Sequence, residues 1–199
     1  MVEDLQQAKR PVSAVLAGPY GHPLHPVLVN VPIGAWVAAS VFDLASHLVH
    51  GPGALARGAW WLIAIGVLGA LAAALIGFLD LLAIPPHTPV FRTALVHMGL
   101  NLTLTGGYVG GFLWRRAEGV AGPVPWGPLA LSLVCLAVLG LSGFLGGKLA
   151  FQYGVRVADE ATQADGYRNH PAARRTTKAE RTRSPATVED STRGPLERR

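Results

Sequence analysis

The sequence predicts an all-α fold: an integral membrane four-helix bundle with a disordered polar C-terminal tail. Three observations predict it. Half of the 199 residues are hydrophobic and only 15% are charged, against roughly 25% charged in a soluble domain, and mean hydropathy is +0.35. The apolar residues fall into four runs, each long enough to cross a hydrocarbon layer, which takes about 20 helical residues. The charges are segregated: nine of the 17 Lys/Arg and seven of the 12 Asp/Glu lie from Ala158 onward. A soluble protein with four buried core helices is the alternative, but core helices carry a polar face and these runs have almost none.

The chain divides into an N-terminal segment (residues 1–25), a transmembrane bundle (26–157) and a charged tail (158–199). In the first segment the apolar stretch Val12 to Ala17 is too short for a secretory leader, and GPYGHPLHP follows it in place of a small-residue cleavage site. Within GHPLHP (Gly21 to Pro26), a residue before proline is pushed toward extended backbone, which predicts His22 and His25 to be extended. Pro26 suits a first helical position and leaves His25 at the cap, where an imidazole can ligate a metal or accept a proton. The structural alternative is a stiff turn whose imidazoles hydrogen-bond backbone or headgroups.

The first span is expected over about residues 26–49, with a kink beside Asn30 because Pro32 frees a carbonyl near Leu28. Toward its far end Ser40, Asp43 and His47 share a stripe, read as a solvated or helix-stabilising group. The second span, about 59–84, ends in GFLDLLAIPP and carries Asp80, whose expected partners are Lys148, Arg92 or a histidine. The third, about 90–114, holds His97 seven residues in, about 10 Å deep. Asn101 and Thr105 follow on the same face with Tyr108 alongside, a polar stripe that has to face the bundle interior. The fourth, about 128–151, ends in GFLGGKLAF with Lys148. Gly- and Pro-bearing connectors separate the spans. Small residues allow close helix approach in lipid, so Gly106/Gly110, Gly107/Gly111, Gly143/Gly147 and Gly66 with Ala70 and Ala74 are expected at helix contacts.

Antiparallel geometry then collects the unusual residues. The start of the first and third spans and the end of the second and fourth share one membrane face, so His22, His25, Asp80, His87, His97 and Lys148 converge there. An ionisable group at membrane depth is costly and marks a functional site by default. The basic tail, Lys9, Arg10, Arg92 and Arg156 lie on that side, against Arg57, Arg115 and Arg116 on the other, which predicts cytoplasmic termini in an inner membrane.

Several chemistries are excluded or unsupported. One cysteine, Cys135, rules out an internal disulfide, a cysteine-rich zinc site and a thiolate-held iron–sulfur cluster. Of the formal charge of +5, only +2 belongs to the tail, which is of mixed sign and without aromatic–basic interleaving, so nucleic acid is not an expected partner. No nucleophile–base arrangement, phosphate loop or metalloprotease helix is legible.

GHPLHPVLVNVPIG, GFLDLLAIP, the early histidine of the third span and GFLGGKLAF together resemble an uncharacterised bacterial four-span membrane family, a domain of unknown function. The resemblance covers about residues 18–157. It implies the fold and the membrane location but no established activity. Some relatives look like fusions of this bundle to a Rieske-type iron–sulfur domain, which implies membrane electron transfer with, here, a separate redox protein as partner. The position of Lys148 can be histidine in relatives, so His22, His25 and His97 are the residues that carry a ligand role over. The leading expectation is a redox-associated subunit binding haem b or quinone through His22, His25, His97 and Asn101, with His25 and His97 as metal ligands and Asp80 and Lys148 completing the polar cluster. The alternatives are a non-enzymatic scaffold or anchor for a partner protein, and a proton or ion path, which lacks the expected inverted repeats or broken helices.

Overall fold

The computed structural model describes Lys9 and residues 23–167; His22 and the charged tail from residue 168 lie outside the described residues. Helix α1 (Leu24–Leu28) is followed after Val29 by α2 (Asn30–Ala45), then α3 (Gly53–Leu81), α4 (Pro89–Glu118) and α5 (Trp126–Gly147), which runs into a π-helical turn (Lys148–Gln152). A short helix α6 (Glu160–Gly166) belongs to a separate unit that begins at Glu160. There is no strand among the described residues.

Sequence explains the helix ends. Pro23 is extended (φ −70°, ψ 128°) and precedes the first turn of α1. The break at Val29 falls where Pro32 supplies no N–H to Leu28, and the Asn30 amide donates to the carbonyls of Pro26 (3.1 Å) and Val27 (3.3 Å). Thr88 caps α4, accepting from the Phe91 N–H at 3.1 Å, with Pro89 in the first helical position.

Sequential neighbours pack together, α2 on α3, α3 on α4 and α4 on α5, and contact between α2 and α5 closes the bundle. Trp36 of α2 stacks on Tyr108 of α4 with ring centroids 4.1 Å apart, at the centre of a core with Ile63, Leu104 and Cys135. Gly66 is required there, because a Cβ on it would lie 2.3 Å from the Trp36 Nε1. Gly107 likewise admits the Cys135 sulfur, which a Cβ would approach to 2.6 Å. Gly106, Gly110 and Gly143 differ from expectation: a Cβ on any of them would meet nothing within 4 Å, so they face outward.

Large apolar side chains such as Leu68, Leu75, Val134 and Phe144 are exposed along the helices. A continuous apolar exterior of this kind suits lipid as solvent. Three helical segments, Leu24–Ala45, Gly53–Leu81 and Trp126–Gln152, are long and apolar enough to cross a membrane. Helix α4 is equally long but carries Arg92, His97, Asn101 and Arg115, and its hydrogen bonds define the two ends of the bundle.

Candidate functional site

At the end of the bundle that holds α1, the π-turn and the start of α4, two imidazoles occupy similar settings. His25 lies in the first turn of α1, not in the extended cap expected from the sequence. The preference against helix before proline is overridden at His25, whose ring is held by the Ala73 carbonyl, and Pro26 within the first turn loses only an N–H that has no helical partner. The His25 Nδ1 is 2.9 Å from the carbonyl oxygen of Ala73 on α3, and its ring rests where a Cβ on Gly77 would come within 2.8 Å of Cε1. His97 repeats this on the other helix pair: Nδ1 is 2.9 Å from the carbonyl oxygen of Ser142 on α5, and the ring lies over Gly146.

A carbonyl only accepts, so both rings carry their hydrogen on Nδ1 and present Nε2 as the acceptor or ligand atom when uncharged. Asn101 braces the second ring. Its amide nitrogen donates to the Ser142 hydroxyl at 2.7 Å and to the His97 carbonyl at 2.8 Å. It also stands 3.2 Å from the His97 Nε2 and 3.4 Å from Nδ1. Its two hydrogens are used by the two shorter contacts, which leaves the Nε2 lone pair. The expected interior stripe on this helix is therefore real, and Tyr108 extends it by donating to the Ser132 carbonyl at 3.4 Å.

Asp80 is also at this end, within electrostatic reach of His25, which in turn is within reach of His97. The histidine expected beside Asp80 is therefore present as His25, but its ion-pair partner is neither Lys148 nor Arg92. Arg156, in the segment after the π-turn, pairs with it at 3.0 Å, and both side chains are largely buried. Arg156 reaches Asp80 from a left-handed backbone (φ 57°), a conformation that a local sequence reading does not anticipate. Lys148 stands apart from Asp80, its ammonium 5.5 Å from the centre of the Tyr153 ring. His87 is exposed in the α3–α4 connector with φ 66°. His25, Asp80, His97 and Asn101 are thus brought together, and Lys148 is not part of their hydrogen-bonded set. Among the described residues no group of three or more His, Cys, Asp or Glu is placed to hold a metal ion.

The opposite end corrects the reading of Asp43 as solvated. Asp43 is fully buried, and both its oxygens accept from Arg115 of α4, at 2.8 and 2.7 Å. Arg115 also donates to the Ser132 hydroxyl (2.9 Å) and the Pro128 carbonyl (3.2 Å) on α5. Ser46 donates to the Asp43 carbonyl at 2.6 Å and accepts from the Val124 N–H at 3.1 Å, and His47 stacks on Trp126. The stripe turned inward because Arg115, placed by charge counting among the water-facing cations, is rotated into the bundle. Ser132, Ser142, Arg115 and Arg156 escaped the sequence reading; the one local signal was that serines and an arginine sit within otherwise apolar helices.

The comparisons with known proteins agree with this architecture. No curated protein and no solved structure matches the chain. A family described as predicted membrane protein (DUF2231) matches residues 21–159, which covers every long helix and both polar ends. The chain belongs to this family of membrane proteins of unknown function.

Proposed function

We propose that the protein is a redox-associated subunit of the bacterial inner membrane that holds a quinone or haem b at its histidine end. The observation that carries this reading is the matched pair of imidazoles, each fixed through Nδ1 to a backbone carbonyl of a facing helix, with Asn101 beside the His97 Nε2 at 3.2 Å. A bond from Nδ1 to a carbonyl orients an imidazole for ligation or proton transfer through its other nitrogen. A haem b would be held here by His25 and His97 and would supply one-electron transfer when bound. The same residues would hold a hydroquinone, whose hydroxyl would donate to Nε2 while Asp80 and Arg156 hold balanced charge beside it. His22, two residues before α1, belongs to the same proposed set, and the electron partner is a separate redox protein.

In this reading α4 also spans the membrane. Its 30 residues extend about 45 Å, and its polar groups at depth are closed against α5 and α2. The termini are cytoplasmic by the positive-inside bias. The second reading, a non-enzymatic anchor for a partner protein, is favoured by the same Nδ1 bonds, because they clasp α1 to α3 and α4 to α5 without any cofactor.

The test is the visible spectrum of detergent-purified protein, air-oxidised and then dithionite-reduced, with quinone measured in its solvent extract. Reduced-minus-oxidised haem bands or stoichiometric quinone are expected, and His25→Ala and His97→Ala should each remove them. Protein from haem- and quinone-replete cells that shows neither would leave the anchor reading.

A further inference from the structure

Lys148 is the polar residue of this end that the histidine set does not use. Among the described residues its ammonium has no acidic partner, only the face of Tyr153 at 5.5 Å. It opens the π-helical turn, in which Tyr153 N–H donates to the Lys148 carbonyl at 3.1 Å, and such turns interrupt α-helices mostly at functional positions. Phe144 and Phe151 stand at four residues before it and three after it, on the same face, and they are 70% and 92% exposed. With Gly147 and Gln152 these residues form an open face on one side of this helical segment. The face is predominantly apolar with one cation at its side, the complement of a lipid whose acyl chain and phosphate lie a few ångströms apart. Lys148 also lies at the end of the bundle that carries Arg92 and Lys9, the end that a negatively charged leaflet attracts.

We propose that this face binds an acidic phospholipid, the acyl chain lying along Phe144 and Phe151 and the headgroup phosphate on the Lys148 ammonium, with Gln152 on the same face. A generic apolar helix surface would hold zwitterionic and acidic lipids alike. The lysine between two exposed phenylalanines makes the site selective for negative charge.

The experiment is native mass spectrometry of the full chain in detergent with equal added phosphatidylglycerol and phosphatidylcholine. The expected result is a retained phosphatidylglycerol adduct, with Lys148→Gln lowering its preference over phosphatidylcholine about fivefold, the effect of one lysine near an anionic lipid. Phe151→Ala should weaken retention of both lipids, and Arg116→Gln, an exposed cation at the other end of the bundle, should change nothing. Equal retention of both lipids by the unaltered chain would overturn the proposal, as would an equal loss in Arg116→Gln. Displacement of the adduct by millimolar inorganic phosphate would also overturn it, because the site would then read a free anion and not a lipid. Loss of haem or quinone in the histidine variants has no bearing on these outcomes.

Discussion

The two ends of the bundle are built from the same kinds of residue and finished differently. At the Arg115 end the charge is paired and enclosed: a guanidinium and a carboxylate, 1% and 0% exposed, meet in two parallel hydrogen bonds, and one terminal nitrogen also donates to a serine and a carbonyl, while the Arg115 Nε and the His47 Nε2 are buried without a hydrogen-bond partner. At the histidine end the rings are pinned by one nitrogen and keep the other, and the ion pair beside them, Asp80 with Arg156, is less completely covered. The first arrangement locks three helices through one enclosed charge pair; the second pins two imidazoles to facing helices, as the proposed cofactor site requires. Polar residues within a membrane bundle therefore do not by themselves mark a site. What differs between the ends is whether the ionic groups are paired only with each other or stand beside oriented imidazoles.

That contrast can be broken most forcefully at the closed end. Arg115→Ala leaves Asp43 as an uncompensated buried charge, and removing one partner of such a pair costs about 3–5 kcal/mol. Thermal unfolding in detergent should show the largest loss for this variant, and an Asp43→Leu, Arg115→Met double variant should recover much of it. A double variant as unstable as Arg115→Ala would show that the ion pair itself, and not the orphaned charge, holds this end. Next in size is Gly77→Ala, which places a methyl 2.8 Å from the His25 ring and should cost about 1–3 kcal/mol by overpacking. Gly106→Ala, on an outward face of α4, is the matched control and should stay within about 0.5 kcal/mol of the parent. Equal stability of the two glycine variants would contradict the placement of His25 against α3. The smallest effect belongs to Ser142→Ala. It removes the hydroxyl that Asn101 uses but keeps the carbonyl that fixes His97, so the cost should be near the average interhelical hydrogen bond in a membrane, about 0.6 kcal/mol. Cofactor retention in Ser142→Ala, measured by the same spectrum and extract, should persist while His97→Ala loses it.

Much of the architecture was legible before any coordinates. The long apolar runs place the helices, Thr88-Pro89 marks the start of α4, and the spacing of His97, Asn101 and Tyr108 announces an inward polar stripe. Antiparallel order alone puts His25, Asp80 and His97 at one end. Partner choice was not legible. Asp43 and Arg115 are 72 residues apart in sequence; charge counting places Arg115 among the cations of the far side, and Asp43 reads locally as part of a solvated or helix-stabilising group. Asp80 was matched to the wrong cations because Arg156 arrives through a left-handed turn after a π-helical one, and neither has a sequence signature. The same limit applies to glycine: Gly107 and Gly106 are adjacent in identical G-x-x-x-G patterns, yet one admits Cys135 and the other faces outward.

The sequence by itself determined the solvent this protein folds in, the helices and the end at which its histidines gather, because hydropathy, helix length and up-down order are properties of the chain read locally. Only the tertiary structure decided which face of each helix turns inward, and hence which polar groups are consumed and which remain available. The reason is physical. A helix that is apolar all round, as a lipid-facing helix must be, has no polar face to reveal its rotation, and the rotation is set instead by side chains that meet across helices.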